Sequence, residues 1–423
     1  MGTTIDRDAI SALAGEPLDW RHKAVPPDWW GRSVRDVVDG KPGLSDLPTP
    51  VVTLSAAAMR HNLATMARWC AERGLELAPH GKTTMAPALW SEQLDAGAIA
   101  ITLANRAQLA VARAFGVRRV LLANEVVDAA ALRWIGAELD ADPEFEVSVW
   151  ADSVRGVELM SAALDGAGRP VDVLVEVGAP GGRGGARDRR TAVEVARAVA
   201  AAPGLRLAGV AGYEGILAGD TDAASLEWVR GYLRELVAVH EQLAGLYDGG
   251  APPLVTAGGS VFFDLVAEEL AAVDDARVVL RSGCYLTHDD GEYHRLSALG
   301  RTPRTSGEPL VPALHAWVRV ASQPEPGLAL VDAGKRDVPY DMGMPVPQLL
   351  AGRPVDGLVV EKLNDQHGYL RFDPSRTTVR VGDVLRLGLS HPCTAFDKWS
   401  LMPVVDDADA ADPVVVDLVR TYF

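Results

Sequence analysis

The chain has 423 residues, too many for one ordinary core, so two domains are expected. Apolar residues make up 48% and charged residues 23%, a globular balance, and the net charge of −16 is spread without a long acidic run, which argues against nucleic acid and anionic membranes as partners. No uncharged apolar stretch reaches the roughly 18 residues of a spanning helix, residues 1–8 are unlike a signal peptide, and three cysteines make no disulfide framework, so a cytoplasmic location is expected.

Residues 1–47 read as an irregular leader, broken by Pro and Gly. Trp20, Trp29 and Trp30 imply that it packs on the body. Asp46-Leu47-Pro48-Thr49-Pro50 punctuates the chain before the main fold. An amphipathic helix follows over 55–74, with Ser55 as N-cap and Gly74 as its stop. Short apolar runs then fall at 75–78, 98–103, 119–123, 146–150, 171–177, 205–213, 253–256 and 277–281. Helical patterns at 86–96, 106–115, 128–139, 153–164, 188–201, 225–246 and 261–271 separate them. Repeated strand–helix units imply a parallel sheet, and eight of them imply a closed (β/α)8 TIM-type barrel over 48–300. An open doubly wound sheet is the alternative, but the first run leads into Pro79-His80-Gly81-Lys82 and not into a dinucleotide glycine fingerprint. Beyond 301 the texture changes. Strand-like runs at 314–321, 328–332, 355–363, 368–372 and 379–389 alternate with Gly and Pro turns, which predicts an all-β domain over 301–423.

Barrel active sites lie at the carboxyl ends of the strands, and polar residues recur there. The first strand ends at His80 and Lys82, whose amine at a strand end can form a Schiff base. Thr102, Asn105 and Asn124 follow the next two strands. The fifth leads through Glu176 into a glycine-rich loop, 178–185, that carries Arg183. The sixth ends at Tyr213-Glu214-Gly215. The seventh runs into Gly258, Gly259 and Ser260, and the eighth into Ser282-Gly283-Cys284-Tyr285. Glycines and a serine at a helix start expose N–H groups to a phosphate, and barrel phosphate sites use the loops after strands seven and eight. The same residues serve equally as a tight turn and a helix cap. Downstream, His391 and Cys393 bracket Pro392 after a strand. In extended backbone, residues i and i+2 share a face, so imidazole and thiolate could ligate a zinc-like ion. A buried cysteine beside a turn histidine is the plainer alternative.

These residues together resemble the fold-type III pyridoxal-phosphate enzymes of the D-serine dehydratase and D-threonine aldolase family. The landmarks are Leu47-Pro48-Thr49-Pro50, Pro79-His80-Gly81-Lys82-Thr83, Gln366-His367-Gly368 and Ser390-His391-Pro392-Cys393-Thr394. The resemblance runs from about Asp46 to the C-terminus. It implies an alanine racemase-like barrel, a C-terminal β domain with a metal site, and pyridoxal 5'-phosphate bound to Lys82. It further implies that Arg183 faces the pyridine nitrogen and that Tyr213 and His80 lie near the cofactor. Gly258, Gly259, Ser260, Gly283 and Tyr285 match phosphate contacts, and His391 and Cys393 match the metal ligands. Zinc is the implied ion, with manganese or magnesium as alternatives, and a homodimer is the implied assembly. His-x-Cys points to a dehydratase, where aldolases of the family often have His-x-Asp. The activity implied is conversion of a β-hydroxy D-amino acid, such as D-serine or D-threonine, to a 2-oxo acid and ammonia. The alternative is retro-aldol cleavage to glycine and an aldehyde. A racemase has no use for the metal pair, and a non-catalytic pyridoxal-phosphate carrier would turn nothing over. Gln366 replaces the family's glutamate before His367, which leaves the role of His367 open.

Overall fold

The computed structural model describes residues 5–423. Its strands, in chain order, begin with β1 (Val51–Ser55), then β2 (Glu76–Leu77), β3 (Ile101–Leu103), β4 (Arg119–Glu125), β5 (Glu146–Ala151), β6 (Val171–Val177), β7 (Leu205–Gly212), β8 (Leu254–Ala257) and β9 (Arg277–Leu280). Strands β2 to β9 pair in parallel as one eight-stranded sheet in the order β2-β9-β8-β7-β6-β5-β4-β3. A parallel bridge between His80 and Thr102 joins its two ends, so the sheet closes as the expected barrel. Helices alternate with the strands because capping residues start them. Asn105, Asp128, Ser153, Asp188 and Asp222 each accept a hydrogen bond from a backbone N–H three residues on. The barrel interior is a packed core. Trp150 fills it against Ala78, Ala100, Leu121, Leu174, Ala211 and Val279, and small side chains elsewhere in the layer make room for the indole.

The residues divide into two compact units. The first holds 5–6, 67–82 and 92–283; the second holds 7–66, 83–91 and 284–423. The second contains β1 and β10 (Leu314–Glu325), β11 (Leu328–Val331), β12 (Val346–Leu350), β13 (Arg353–Pro354), β14 (Val359–Leu363), β15 (Gly368–Arg371), β16 (Val384–Gly388), β17 (Leu401–Val405) and β18 (Val415–Arg420). They form one sheet with the path β13-β12-β16-β10-β1-β17-β18, with β11, β14 and β15 extending from β10. All its pairs are antiparallel except β1 with β17. The sequence reading leaves out β1, β12, β13, β17 and β18.

The helix expected over 55–74 spans Ala56–Ala71, and Ser55 Oγ accepts from Ala58 N at its start. Within the leader, Ser33 and Asp36 make a reciprocal capping box that opens a helix over Val34–Asp39. That helix buries Val34 and Val37, with Trp29, against Trp317, Leu401 and Val415. Trp20 and Trp30 are exposed, so one of the three leader tryptophans packs in a core. Lys23 ties the leader down further: its ammonium stacks on the Trp399 ring and reaches Asp337 Oδ1 at 3.3 Å.

Candidate active site

The barrel contributes a polar cluster at the carboxyl ends of its strands. His80 N donates to the Arg281 carbonyl, and a Cβ on Gly283 would stand 2.6 Å from the His80 carbonyl oxygen, so that approach admits only glycine. His80 stays neutral: burial, and then the charges of Lys82, Arg281 and Arg183, hold its pKa well below the ordinary histidine value. Arg183 stacks its guanidinium 4.5 Å over the Tyr213 ring. Its loop is stapled by Arg187, which donates to the carbonyls of Gly182, Arg183, Gly184 and Gly185. Beneath that loop, Glu125, Asp152 and Glu176 bring carboxylate oxygens within 4.8 Å of one another. Burial, and then the neighbouring Glu125, push Glu176 up to about 8, so it holds a proton near neutrality.

Tyr213 is fixed by a residue that the sequence reading did not single out. The Tyr232 hydroxyl accepts from Tyr213 N at 2.9 Å and donates to the Val177 carbonyl at 2.6 Å, which pins the ends of β6 and β7 together. Arg281 is also new. It is buried and donates to Thr256 Oγ1 and to the Gly212 carbonyl. Burial lowers its pKa against the opposing charges of Glu214 and Glu176. A charged residue closing the last barrel strand was the available signal for it.

The structure alters the expected phosphate cradle. The amides of Gly258 and Gly259 donate to the carboxylate of Glu214 at 3.0 and 2.6 Å, and Glu214 is fully buried. Gly258 adopts φ +106°, a conformation that glycine tolerates. The helix expected over 261–271 spans Phe263–Glu269 with Phe262 at its N-cap, so Ser260 precedes the cap and does not provide it. Its neighbour strand end is held by Ser282 Oγ, which donates to the Gly259 carbonyl. Thr102, Asn105 and Asn124 serve local structure: Thr102 bonds the Ala78 carbonyl, Asn105 caps a helix, and Asn124 bonds the Ala104 carbonyl.

The barrel residues suit a phosphorylated aldehyde cofactor. They offer Lys82, in the 3-10 turn Gly81–Thr83 that follows β2, and a close glycine approach at 283. His80 Nδ1 and Arg281 Nε are buried polar atoms that no protein group satisfies. Each such atom costs about 1–3 kcal/mol unless something polar meets it.

The second unit contributes a separate cluster. The expected extended geometry at His391 and Cys393 is corrected: β16 ends at Gly388, and Pro392–Phe396 is a short helix with His391 at its N-cap. His391 sits at φ +56°, in the left-handed region, at a cost of roughly 1–2 kcal/mol. Asp289 holds it there, accepting from His391 N at 2.9 Å while its other oxygen accepts from the amides of Gly291, Tyr293 and His294. The His391 ring bonds Asp341 Oδ2 through Nδ1 at 2.6 Å, so Nε2 is the nitrogen left to bind a ligand. Burial pushes the imidazole pKa down, but Cys393 and Asp341 outweigh it and raise it to about 9. Cys393 Sγ lies 3.4 Å from Thr83 Oγ1 and 3.9 Å from Cys284 Sγ, and the Cys284 thiol and His391 hold it well below the ordinary thiol range. Imidazole and thiolate side by side, with a carboxylate behind the imidazole, is ligand chemistry for a divalent metal. Asp341 and Asp289 gave no signal in the sequence. Tyr285 is buried in the 3-10 turn Cys284–Leu286, and Gln366 and His367 are exposed, with Gln366 Nε2 donating to Asp337.

Comparison with known proteins places both halves. Residues 54–261 match the family model of the alanine racemase N-terminal domain, and residues 313–405 match that of a serine dehydratase domain. The chain is 28% identical over 370 residues to a D-threonine aldolase of Arthrobacter, covering 87% of this chain and 92% of that one. It is 27% identical over 389 residues to a 3-hydroxy-D-aspartate aldolase of Paracoccus denitrificans, covering 88% and 93%. Among solved structures, the D-threonine aldolase of Filomicrobium marinum superposes with a TM-score of 0.77 at 28% identity, over 90% of this chain and 97% of that one. The D-threo-3-hydroxyaspartate dehydratase of Delftia superposes at 0.71 and 21% identity, over 90% and 99%, which shows a shared fold.

Proposed function

We propose, for a chain that belongs to the fold-type III pyridoxal-phosphate family through its alanine racemase and serine dehydratase domains, that it is a metal-dependent dehydratase of a β-hydroxy D-amino acid. The coarse activity is that of its relatives: a pyridoxal-phosphate-dependent lyase acting on D-amino acids. The domain division proposed, a barrel over 48–300 and a β domain over 301–423, rests on the change from alternating strands and helices to strands alone beyond 301.

Lys82, His80, Arg183, Tyr213, Ser260, Gly283 and Tyr285 would hold pyridoxal phosphate, which supplies an electron sink for charge developing at Cα. His391 and Cys393 would hold the metal, a Lewis acid that makes a hydroxyl a better leaving group. The remaining work falls to this chain's own side chains. Lys82 Nζ takes the Cα proton of the bound amino acid. His80, kept neutral, adds no second cation beside Lys82. Asp341 keeps the proton on His391 Nδ1 and so orients the imidazole.

One observation carries the choice of dehydratase over aldolase: the residue beside His391 in the His-x-Cys segment is Cys393, a thiol, where aldolases of the family often have a carboxylate. Elimination needs a Lewis acid to accept the departing hydroxyl, and an imidazole–thiolate pair suits such an ion. The thiol–imidazole donor set favours zinc as the ion. The homodimer is proposed from family membership alone, and cytoplasmic location from the three free cysteines. Among the described residues no helix is long and apolar enough to cross a membrane.

The test is product identity. The purified protein, incubated with D-serine and with D-threonine, is expected to release a 2-oxo acid and ammonia, identified by mass. Glycine plus an aldehyde would assign the aldol reaction instead.

A further inference from the structure

We infer that Cys284 is a third protein ligand of the divalent metal, so that the centre is a Cys2His set made by Cys284, Cys393 and His391. The inference rests on reading His391 and Cys393 as metal ligands and extends it to a residue no motif pointed to. Its basis is a distance. Zinc binds thiolate sulfur at about 2.3 Å in tetrahedral sites, and two corners of such a tetrahedron stand about 3.8 Å apart. Cys284 Sγ and Cys393 Sγ are 3.9 Å apart. Thr83 Oγ1 completes a triangle with them, at 3.4 Å from Cys393 Sγ and 3.8 Å from Cys284 Sγ. Both sulfurs are reduced and unbridged.

The backbone explains how residues 109 positions apart meet. Cys284 opens the 3-10 turn Cys284–Leu286, which follows β9, and Cys393 is the second residue of the helix whose N-cap is His391. The third cysteine gives the contrast. Cys70 is buried near the end of the helix Ala56–Ala71. Cys284 is equally buried but faces a hydroxyl and a second sulfur. Two thiolates and one imidazole leave one tetrahedral position for a substrate oxygen, the ligand count of a catalytic zinc site. Two soft donors also select zinc over magnesium, which prefers an all-oxygen shell.

Cobalt(II) reports the number of thiolate ligands through its charge-transfer absorbance. Full-length protein, kept reduced, is stripped with a chelator and reloaded with cobalt chloride. We expect wild type to show the band of two thiolates, and Cys284→Ser to show about half of it. Zinc affinity should fall in that variant by at least the 10–100-fold that outer-shell changes already cause. X-ray absorption of the zinc-loaded wild type should count two sulfur scatterers, which keeps the inference testable if Cys284→Ser fails to fold. A Cys284→Ser protein with the wild-type band and affinity, while Cys393→Ser loses the band, would overturn the third ligand and leave the pair standing. A wild type that takes up cobalt with no thiolate band would overturn the pair as well.

Discussion

At the amino-terminal ends of the barrel strands, Arg119 pairs with Glu146 at 2.6 Å, Arg206 with Asp172 at 2.6 Å and Arg277 with Glu76 at 2.8 Å, each across adjacent strands. Arg119, Glu146, Asp172, Arg206 and Arg277 line a cavity of about 370 Å³, and each is paired, Arg277 with Glu76 outside the lining. At the carboxyl ends of the same strands the accounting differs. Glu176 crowds Glu125, His80 lies among cations, and Arg281 is buried with Nε unsatisfied. One set of strands thus carries a matched ionic rim at one end and a mismatched polar cluster at the other. A matched exposed pair adds little and asks for nothing more. A mismatched buried cluster costs stability, and a polar ligand is what offsets that cost. The difference marks which end does chemistry without reference to any motif.

The largest test of this contrast is Lys82→Ala. It should abolish the visible absorbance of bound cofactor and lower turnover by at least about 10²–10⁴-fold, the scale of a lost proton-transfer group, while circular dichroism stays native. Retained cofactor absorbance would move the cofactor site away from this strand end. Next in size is Tyr232→Phe, which leaves Tyr213 N and the Val177 carbonyl without their shared hydroxyl. A loss of about 1–3 kcal/mol is expected from urea denaturation, and an unchanged midpoint would show that the two strand ends hold without it.

A third test uses pH. Glu176 titrates at about 8 in the fold, above the ordinary glutamate value of 4.5. Between those values the unfolded chain gives up the proton that the fold retains, so stability is full below about 4.5 and declines as pH rises toward 8. Glu176→Gln should flatten that decline when unfolding is compared at pH 5 and pH 8, and a slope equal to wild type would remove Glu176 as its source. The smallest effect belongs to the opposite end. Arg206→Ala should cost about 0.2–1 kcal/mol, less in high salt, with turnover unchanged. A large loss of turnover there would erase the contrast between the two ends.

What the sequence reveals about this fold follows from the range of the interactions involved. The eight barrel strands were legible because each is a short apolar run set off by a capped helix, and Asn105, Asp128, Ser153, Asp188 and Asp222 act on their own neighbours. Strand β1 was not legible, because its partners β10 and β17 lie more than 250 residues away. The candidate site residues divide along the same line. Lys82, Arg183 and His391 stand at strand ends or in short motifs that sequence periodicity places. Glu214, Asp341 and Cys284 are defined by contacts with Gly259, His391 and Cys393 that span 45, 50 and 109 residues. No local pattern encodes such contacts. The extended reading of His391-Pro392-Cys393 failed for a related reason: the buried Asp289 carboxylate holds His391 left-handed and turns the chain into a helix.

As proposed, the His391–Cys393 pair drives loss of the β-hydroxyl while the cofactor is held elsewhere. Its most direct measurement is 2-oxo acid release from D-serine by His391→Ala, alongside the visible absorbance of bound pyridoxal phosphate. Absorbance is expected to persist and 2-oxo acid release to be abolished. A His391→Ala protein that keeps both would contradict it.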